Sequence, residues 1–170
     1  MKTIDKLLSE KMMTLVRSKS QSEGQAMADA LVEAGVKVIE ITLTTPGALK
    51  IIEKLLKNKD ILVGAGTVRT VKDVKKVEDV GASFIVSPDT NEDVIKATKK
   101  LKLVSMPGVS TPSEVAIAEE SGADILKLFP ATILGPDHLK MLREPFPGNR
   151  WCPTAGITLD SIPKWFAAGA

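Results

Sequence analysis

Short apolar runs alternate with amphipathic segments along almost the whole chain. The apolar runs are Met12–Val16, Val38–Thr42, Ile61–Thr67, Phe84–Val86, Leu103–Met106, Ile125–Phe129 and Trp151–Pro153. Their length and their β-branched content predict buried strands. Between them, apolar positions at helical spacing predict helices over Ser22–Ala34, Gly47–Leu56, Val71–Val80, Asn91–Lys100, Pro112–Ser121, Asp137–Arg143 and Ser161–Ala168, after a small N-terminal helix.

The joins repeat. Ala34-Gly35-Val36, Val80-Gly81-Ala82, Ser121-Gly122-Ala123 and Ala168-Gly169-Ala170 each put a glycine just past a helix, where a left-handed residue ends it. Pro112 and Pro163 fall in first helical turns, where a missing N–H is harmless. Strict alternation of strand and helix implies parallel strands with helices outside, either an open doubly wound sheet or an eight-stranded (β/α)8 TIM barrel. Gly64-Ala65-Gly66-Thr67 has no third glycine to complete a dinucleotide fingerprint, which favours the barrel. Seven strands do not close a barrel of eight, and Gly169-Ala170 repeats the join that precedes earlier strands. The expectation is a single barrel domain over residues 1–170 whose eighth strand and helix are missing from this sequence.

Composition narrows the function classes. Lys+Arg 23 against Asp+Glu 21 leaves a net charge of +2 with the signs mixed along the chain, and aromatics make up 4% with no tyrosine. Neither a nucleic-acid footprint nor a base-stacking surface follows. No run reaches transmembrane length, and Met1–Met13 lacks the apolar core of a signal peptide, so no membrane partner and a cytoplasmic location are expected. With one cysteine and one histidine, Cys152 and His138, a zinc site is not expected. His138 is read as a surface residue and Cys152 as packing.

Lys127 changes the picture. In Asp124-Ile-Leu-Lys-Leu-Phe-Pro130 it shares a strand face with Ile125 and Phe129, between apolar residues on both faces. A buried ammonium loses its proton more easily than a solvated one, and a neutral amine is a nucleophile. A lysine that snorkels to water from a strand end would fit the same residues. Barrel chemistry sits where strands end, so the polar residues there are the candidates. They are Arg17 after the first strand, Glu40 and Thr42 on the second, Thr67, Ser87-Pro88, Pro107-Gly108, Lys127 and Thr154. Parity puts Leu15 with Arg17, Val38 with Glu40 and Thr42, and Ala65 with Thr67, each set expected to point inward. Glu40 is the natural partner of Lys127, either as a catalytic pair or as a buried ion pair kept for structure.

Glu40-Ile-Thr-Leu-Thr44, Gly64-Ala-Gly-Thr-Val68, Ser87-Pro88, Met106-Pro-Gly-Val109, Leu126-Lys-Leu-Phe-Pro-Ala131 and Cys152-Pro-Thr-Ala-Gly-Ile157 together resemble the 2-keto-3-deoxy-6-phosphogluconate and 4-hydroxy-2-oxoglutarate aldolases, in order and spacing, from about Met12 onward. The resemblance implies a class I aldolase on a (β/α)8 barrel, a homotrimer needing no metal or cofactor. It would cleave 2-keto-3-deoxy-6-phosphogluconate to pyruvate and glyceraldehyde 3-phosphate. By that likeness Lys127 forms the Schiff base and Glu40 shuttles protons. Arg17 holds the substrate carboxylate, while Thr42, Thr67, Pro88 and Thr154 line the pocket. Ala155 and Gly156 offer amides to the phosphate. Two departures stand out: Thr44 where some members carry an arginine for the carboxylate, and Ala155 where the family often has glycine. The alternatives are the same chemistry on 2-keto-3-deoxy-6-phosphogalactonate or 4-hydroxy-2-oxoglutarate, a phosphate-binding barrel isomerase or decarboxylase that never traps substrate covalently, and an inactive barrel kept for assembly.

Overall fold

The computed structural model describes residues 2–170. Eight strands alternate with helices, all strand pairs are parallel, and the pairing runs β1-β2-β3-β4-β5 in one sheet and β6-β7-β8 in a second. The strands are β1 (Thr14–Val16), β2 (Val38–Thr42), β3 (Leu62–Gly66), β4 (Phe84–Val86), β5 (Val104–Met106), β6 (Gly108–Val109), β7 (Leu126–Leu128) and β8 (Trp151–Pro153). β5 matches the expected fifth strand, and β6 continues it beyond the expected end, after a break at Pro107, which has no N–H to continue the ladder. The carbonyl of Pro107 still accepts from Lys127 N at 2.9 Å, so the wall is continuous. Seven strand positions result, as the hydrophobic pattern predicts. Among the described residues no ladder joins β8 to β1.

Helices α1 (Thr3–Glu10), α2 (Gln21–Glu33), α3 (Ala48–Leu55), α4 (Val71–Asp79), α5 (Glu92–Lys100), α6 (Pro112–Glu120), α7 (Ala131–Arg143) and α8 (Ile162–Ala167) follow the expected segments within a residue or two, except α7. That helix begins at Ala131 and is broken at Gly135 (φ 78°, ψ 165°) before Pro136, so the expected Asp137–Arg143 helix is its second half. Local chemistry sets the ends. Ser20, Thr70, Asn91 and Thr111 accept hydrogen bonds from amides in the first turns of α2, α4, α5 and α6. Gly35, Gly81, Gly122 and Gly169 all take positive φ after helices, as their joins imply.

Two kinds of core result from the two-residue strand period. Val16, Ile39, Ile41, Val63, Ala65 and Ile85 point outward under the helices of the first half, and Val109, Leu126, Leu128 and Trp151 do so in the second. Val38, Phe84, Val86, Val104, Met106 and Ile125 point inward, where Leu7 of α1 joins them and floors the barrel. Leu15, opposite Val16 on the edge strand β1, stays 41% exposed.

Candidate active site

Above the apolar floor the same inward parity delivers Glu40 on β2 and Lys127 on β7. Lys127 stands opposite Gly108 on β6 and Cys152 on β8. Its side chain shares the inward face with Ile125 and Phe129, as parity predicts, and Nζ lies 4.9 Å from the centre of the Phe129 ring. Lys127 is 6% exposed and Glu40 1%. Among the described residues no ion pair within 4 Å joins them, and one oxygen of Glu40 has no hydrogen-bond partner. The carboxyl group is therefore free to act on a third group.

Burial dominates the electrostatics. It drives the Lys127 amine below the ordinary lysine range; Arg17 pushes the same way, while Glu40 and Cys152 oppose it. Burial also drives the Glu40 carboxyl above its ordinary range, against the pull of Lys127 and Arg17. The Cys152 thiol is pushed up by burial as well. An amine that sheds its proton readily is a nucleophile, and a carboxyl that holds its proton longer than usual can serve as a proton donor as well as an acceptor. Cys152, expected only to pack, belongs to this electrostatic set.

Arg17 follows β1 at the C-terminal end of the barrel, exposed, with Nη2 donating to Thr67 Oγ1 at 3.3 Å. Thr67 arrives there by an unexpected route. Ala65 faces the outer helices, so plain alternation does not bring Thr67 inward with it. The backbone instead turns left-handed at Thr67 (φ 58°), a conformation that strains a β-branched residue and re-aims its hydroxyl.

The inward residues of β3 are Leu62, Gly64 and Gly66. A methyl on Gly64 would meet the Phe84 ring at 2.3 Å, so that strand leaves room for its neighbours' side chains. These two glycines, considered in the sequence only against a dinucleotide motif, are site-shaping residues. Their signal was the alternation itself, glycine at every second position of a strand.

Thr42 departs from the expected pocket role. Its hydroxyl donates to Val16 O at 3.1 Å and accepts from Thr44 Oγ1 at 3.2 Å, and Thr45 Oγ1 lies 3.1 Å away. With one proton and two lone pairs engaged, no capacity is left for a ligand. Pro88 sits at the rim after β4, its carbonyl pressed against Gly108, where a methyl would meet it at 2.3 Å.

Thr154 follows β8, and its hydroxyl donates to Cys152 O at 3.3 Å. Ala155 has φ 81° and Gly156 φ 67°. The carbonyls of Thr154 and Ala155 accept from Ala131 N and Thr132 N at the start of α7, at 2.8 and 3.1 Å. The loop's oxygens are thus turned to the helix, and its amides at Ala155 and Gly156 donate to none of the described residues. His138, expected at the surface, is partly buried, with Nε2 bonded to Ser110 O at 2.6 Å.

Among the described residues no group of three or more His, Cys, Asp or Glu is placed to hold a metal, and no helix is long and apolar enough to cross a membrane. A separate cleft of about 390 Å³ opens between α1, the start of β1, β8 and α8, lined by residues such as Met13, Trp151 and Phe166. It reaches neither Glu40 nor Lys127 and marks the unpaired edges of β1 and β8.

Known proteins resemble this chain in sequence and fold. A family model described as KDPG and KHG aldolase matches residues 3–170. A probable 2-dehydro-3-deoxy-6-phosphogalactonate aldolase of Rhizobium meliloti is 37% identical over 140 residues, 81% of this chain and 66% of the relative. A 2-dehydro-3-deoxy-phosphogluconate aldolase of Pseudomonas aeruginosa is 37% identical over 143 residues, 83% of this chain and 65% of the relative. The chain thus spans just under two-thirds of the length of these curated relatives. A crystal structure of KDPG aldolase from Legionella pneumophila, with pyruvate captured as a covalent carbinolamine intermediate, superposes with a TM-score of 0.79 at 32% identity, over 91% of this chain and 75% of that one. The motifs, the parallel strand order and these matches agree: the chain belongs to the KDPG and KHG aldolase family.

Proposed function

We propose that the chain carries class I aldolase chemistry, cleaving 2-keto-3-deoxy-6-phosphogluconate to pyruvate and glyceraldehyde 3-phosphate. One observation carries the reading: Lys127 lies inside the barrel with its amine held below the ordinary lysine range, close enough to Glu40 for the two charges to act on each other.

Neutral Lys127 Nζ attacks the C2 ketone to give a carbinolamine. Glu40, in its acid form, gives a proton to the departing hydroxyl, and loss of that water leaves a protonated imine, which draws electrons from the adjoining carbons. Glu40, as carboxylate, takes the C4 hydroxyl proton. The bond between C3 and C4 then breaks, the aldehyde leaves, and the bonding pair settles into an enamine. Glu40 returns the proton to C3, and water hydrolyses the imine to free pyruvate and the neutral amine, the released proton going back to Glu40.

Arg17 grips the substrate carboxylate, with Thr67 beside it, through a bidentate guanidinium contact that fixes the ketone for attack. Thr154 and Pro88 line the pocket, and the free amides at Ala155 and Gly156 face the phosphate. The protein works as a soluble cytoplasmic homotrimer, without metal, on a small phosphorylated 2-keto acid.

The Rhizobium relative's description supports a second reading, the same reaction on the galactonate epimer. Borohydride reduction in the presence of pyruvate tests the chemistry common to both. The expected result is one pyruvate-derived adduct on Lys127, absent from Lys127→Ala. An unmodified Lys127 would leave a barrel isomerase, a decarboxylase or an inactive barrel. Turnover of the two C4 epimers in parallel assigns the substrate.

A further inference from the structure

The backbone is tied down on both sides of Arg17 by a single pair of threonines. The carbonyl of Val16, the residue before it, accepts from Thr42 Oγ1 at 3.1 Å. The amide of Ser18, the residue after it, donates to Thr45 Oγ1 at 3.2 Å. Thr42 and Thr45 are 0% and 2% exposed, so no water competes for these bonds. Their proton order follows by elimination. Thr42 spends its only hydroxyl proton on Val16, so across the 3.1 Å contact between the two hydroxyls Thr45 donates and Thr42 accepts.

The pair is rigid because of where it sits. Thr42 ends β2, and Thr45 begins a tight turn with Thr45 N on Thr42 O at 2.9 Å and Ala48 N on Thr45 O at 3.1 Å. From the other side α2 closes on the same point: a methyl on Gly24 would stand 2.7 Å from Ser18 Oγ and 2.9 Å from Thr45 Cγ2. A long, exposed arginine thus springs from a backbone segment with almost no freedom.

We propose that Thr45 is a positioning residue for Arg17. Through the Ser18 amide directly, and the Val16 carbonyl by way of Thr42, it sets the direction from which the guanidinium meets the substrate carboxylate. The proposal rests on the reading of Arg17 as the carboxylate anchor. It gives a buried turn threonine, which touches no substrate, a share in the selection of keto acids over plain ketones.

The test compares borohydride trapping on Lys127 with pyruvate and with acetone, a ketone that lacks the carboxylate. In Thr45→Val, which keeps the shape and removes the hydroxyl, the preference for pyruvate is expected to fall about tenfold, as for a lost buried hydrogen bond, while acetone trapping is kept. Thr45→Ser restores the preference, and adding Thr45→Val to Arg17→Ala lowers it no further. Where the valine variant does not accumulate, Thr45→Ala carries the same expectation. An unchanged preference, or an equal loss with both ketones, overturns the proposal. If Arg17→Ala itself keeps the preference for pyruvate, the anchor reading falls and the clamp with it. If Arg17→Ala loses the preference and Thr45→Val keeps it, only the clamp falls.

Discussion

Gly66 on β3 lies against the carboxyl group of Glu40 on β2: a methyl at position 66 would stand 1.7 Å from Glu40 Oε1 and 2.5 Å from its Cδ. The neighbouring strand supplies bare backbone where the acid needs room. Gly66→Ala is therefore expected to push the carboxyl group from its place and lower kcat by at least about a hundredfold, a loss typical of a displaced acid–base group. Overpacking adds roughly 1–3 kcal/mol of destabilisation. Steady-state kinetics and thermal unfolding of that variant check it, and an unchanged kcat would contradict the placement of Glu40.

The pH dependence of imine formation follows from the charges around Lys127. Burial and Arg17 lower its pKa, so trapping with pyruvate should rise with pH along a limb centred below the ordinary lysine value of 10.5. Glu40→Gln removes a negative charge that favours the ammonium form and should move that limb to lower pH. Arg17→Ala removes a like charge and should move it to higher pH. Trapping rates measured against pH decide this, and shifts in the same direction would be inconsistent with the geometry.

Stability should carry the same signature with a defined sign. The Glu40 carboxyl is raised above its ordinary value of 4.5, so the folded state favours the protonated form. Its contribution to stability is present below that ordinary value and is lost as pH rises toward the raised one. Glu40→Gln stays neutral throughout. It is therefore expected to unfold at a higher temperature than the wild type at neutral pH, by roughly 1–3 kcal/mol in stability, with the gap closing in acid. Calorimetry at pH 4 and pH 7 would detect the difference.

Ala155 occupies a left-handed φ of 81° beside Gly156, a backbone region that L side chains rarely enter. Ala155→Gly relieves that strain and gives back part of the gain as unfolded-state entropy. A net stabilisation of up to about 1 kcal/mol is expected in urea unfolding. A destabilised glycine variant would show that the Ala155 methyl packs usefully.

Much of the architecture is legible in the residues one at a time. The two-residue alternation in Ile125-Leu-Lys-Leu-Phe129 dictates that Lys127 shares its face with Ile125 and Phe129, and the helix-ending glycines mark most of the unit boundaries. These features depend on chain period and on intrinsic φ preferences, which act within a few residues. The extension of α7 back to Ala131 escaped the same reading because Gly135 and Pro136 interrupt its pattern.

Tertiary structure alone decided how the site is filled. Thr67 reaches Arg17 through a left-handed turn that alternation does not foresee, and Thr42 is saturated by hydroxyl and carbonyl partners from two segments. Gly66 matters because a carboxyl group from the next strand leans over it. A lysine in an oily strand is visible in the sequence. The lowering of its pKa depends on burial and on the electrostatic influence of Glu40, Arg17 and Cys152, each more than twenty residues away along the chain. Charge and desolvation act through space, and only the curved wall of strands brings those groups together.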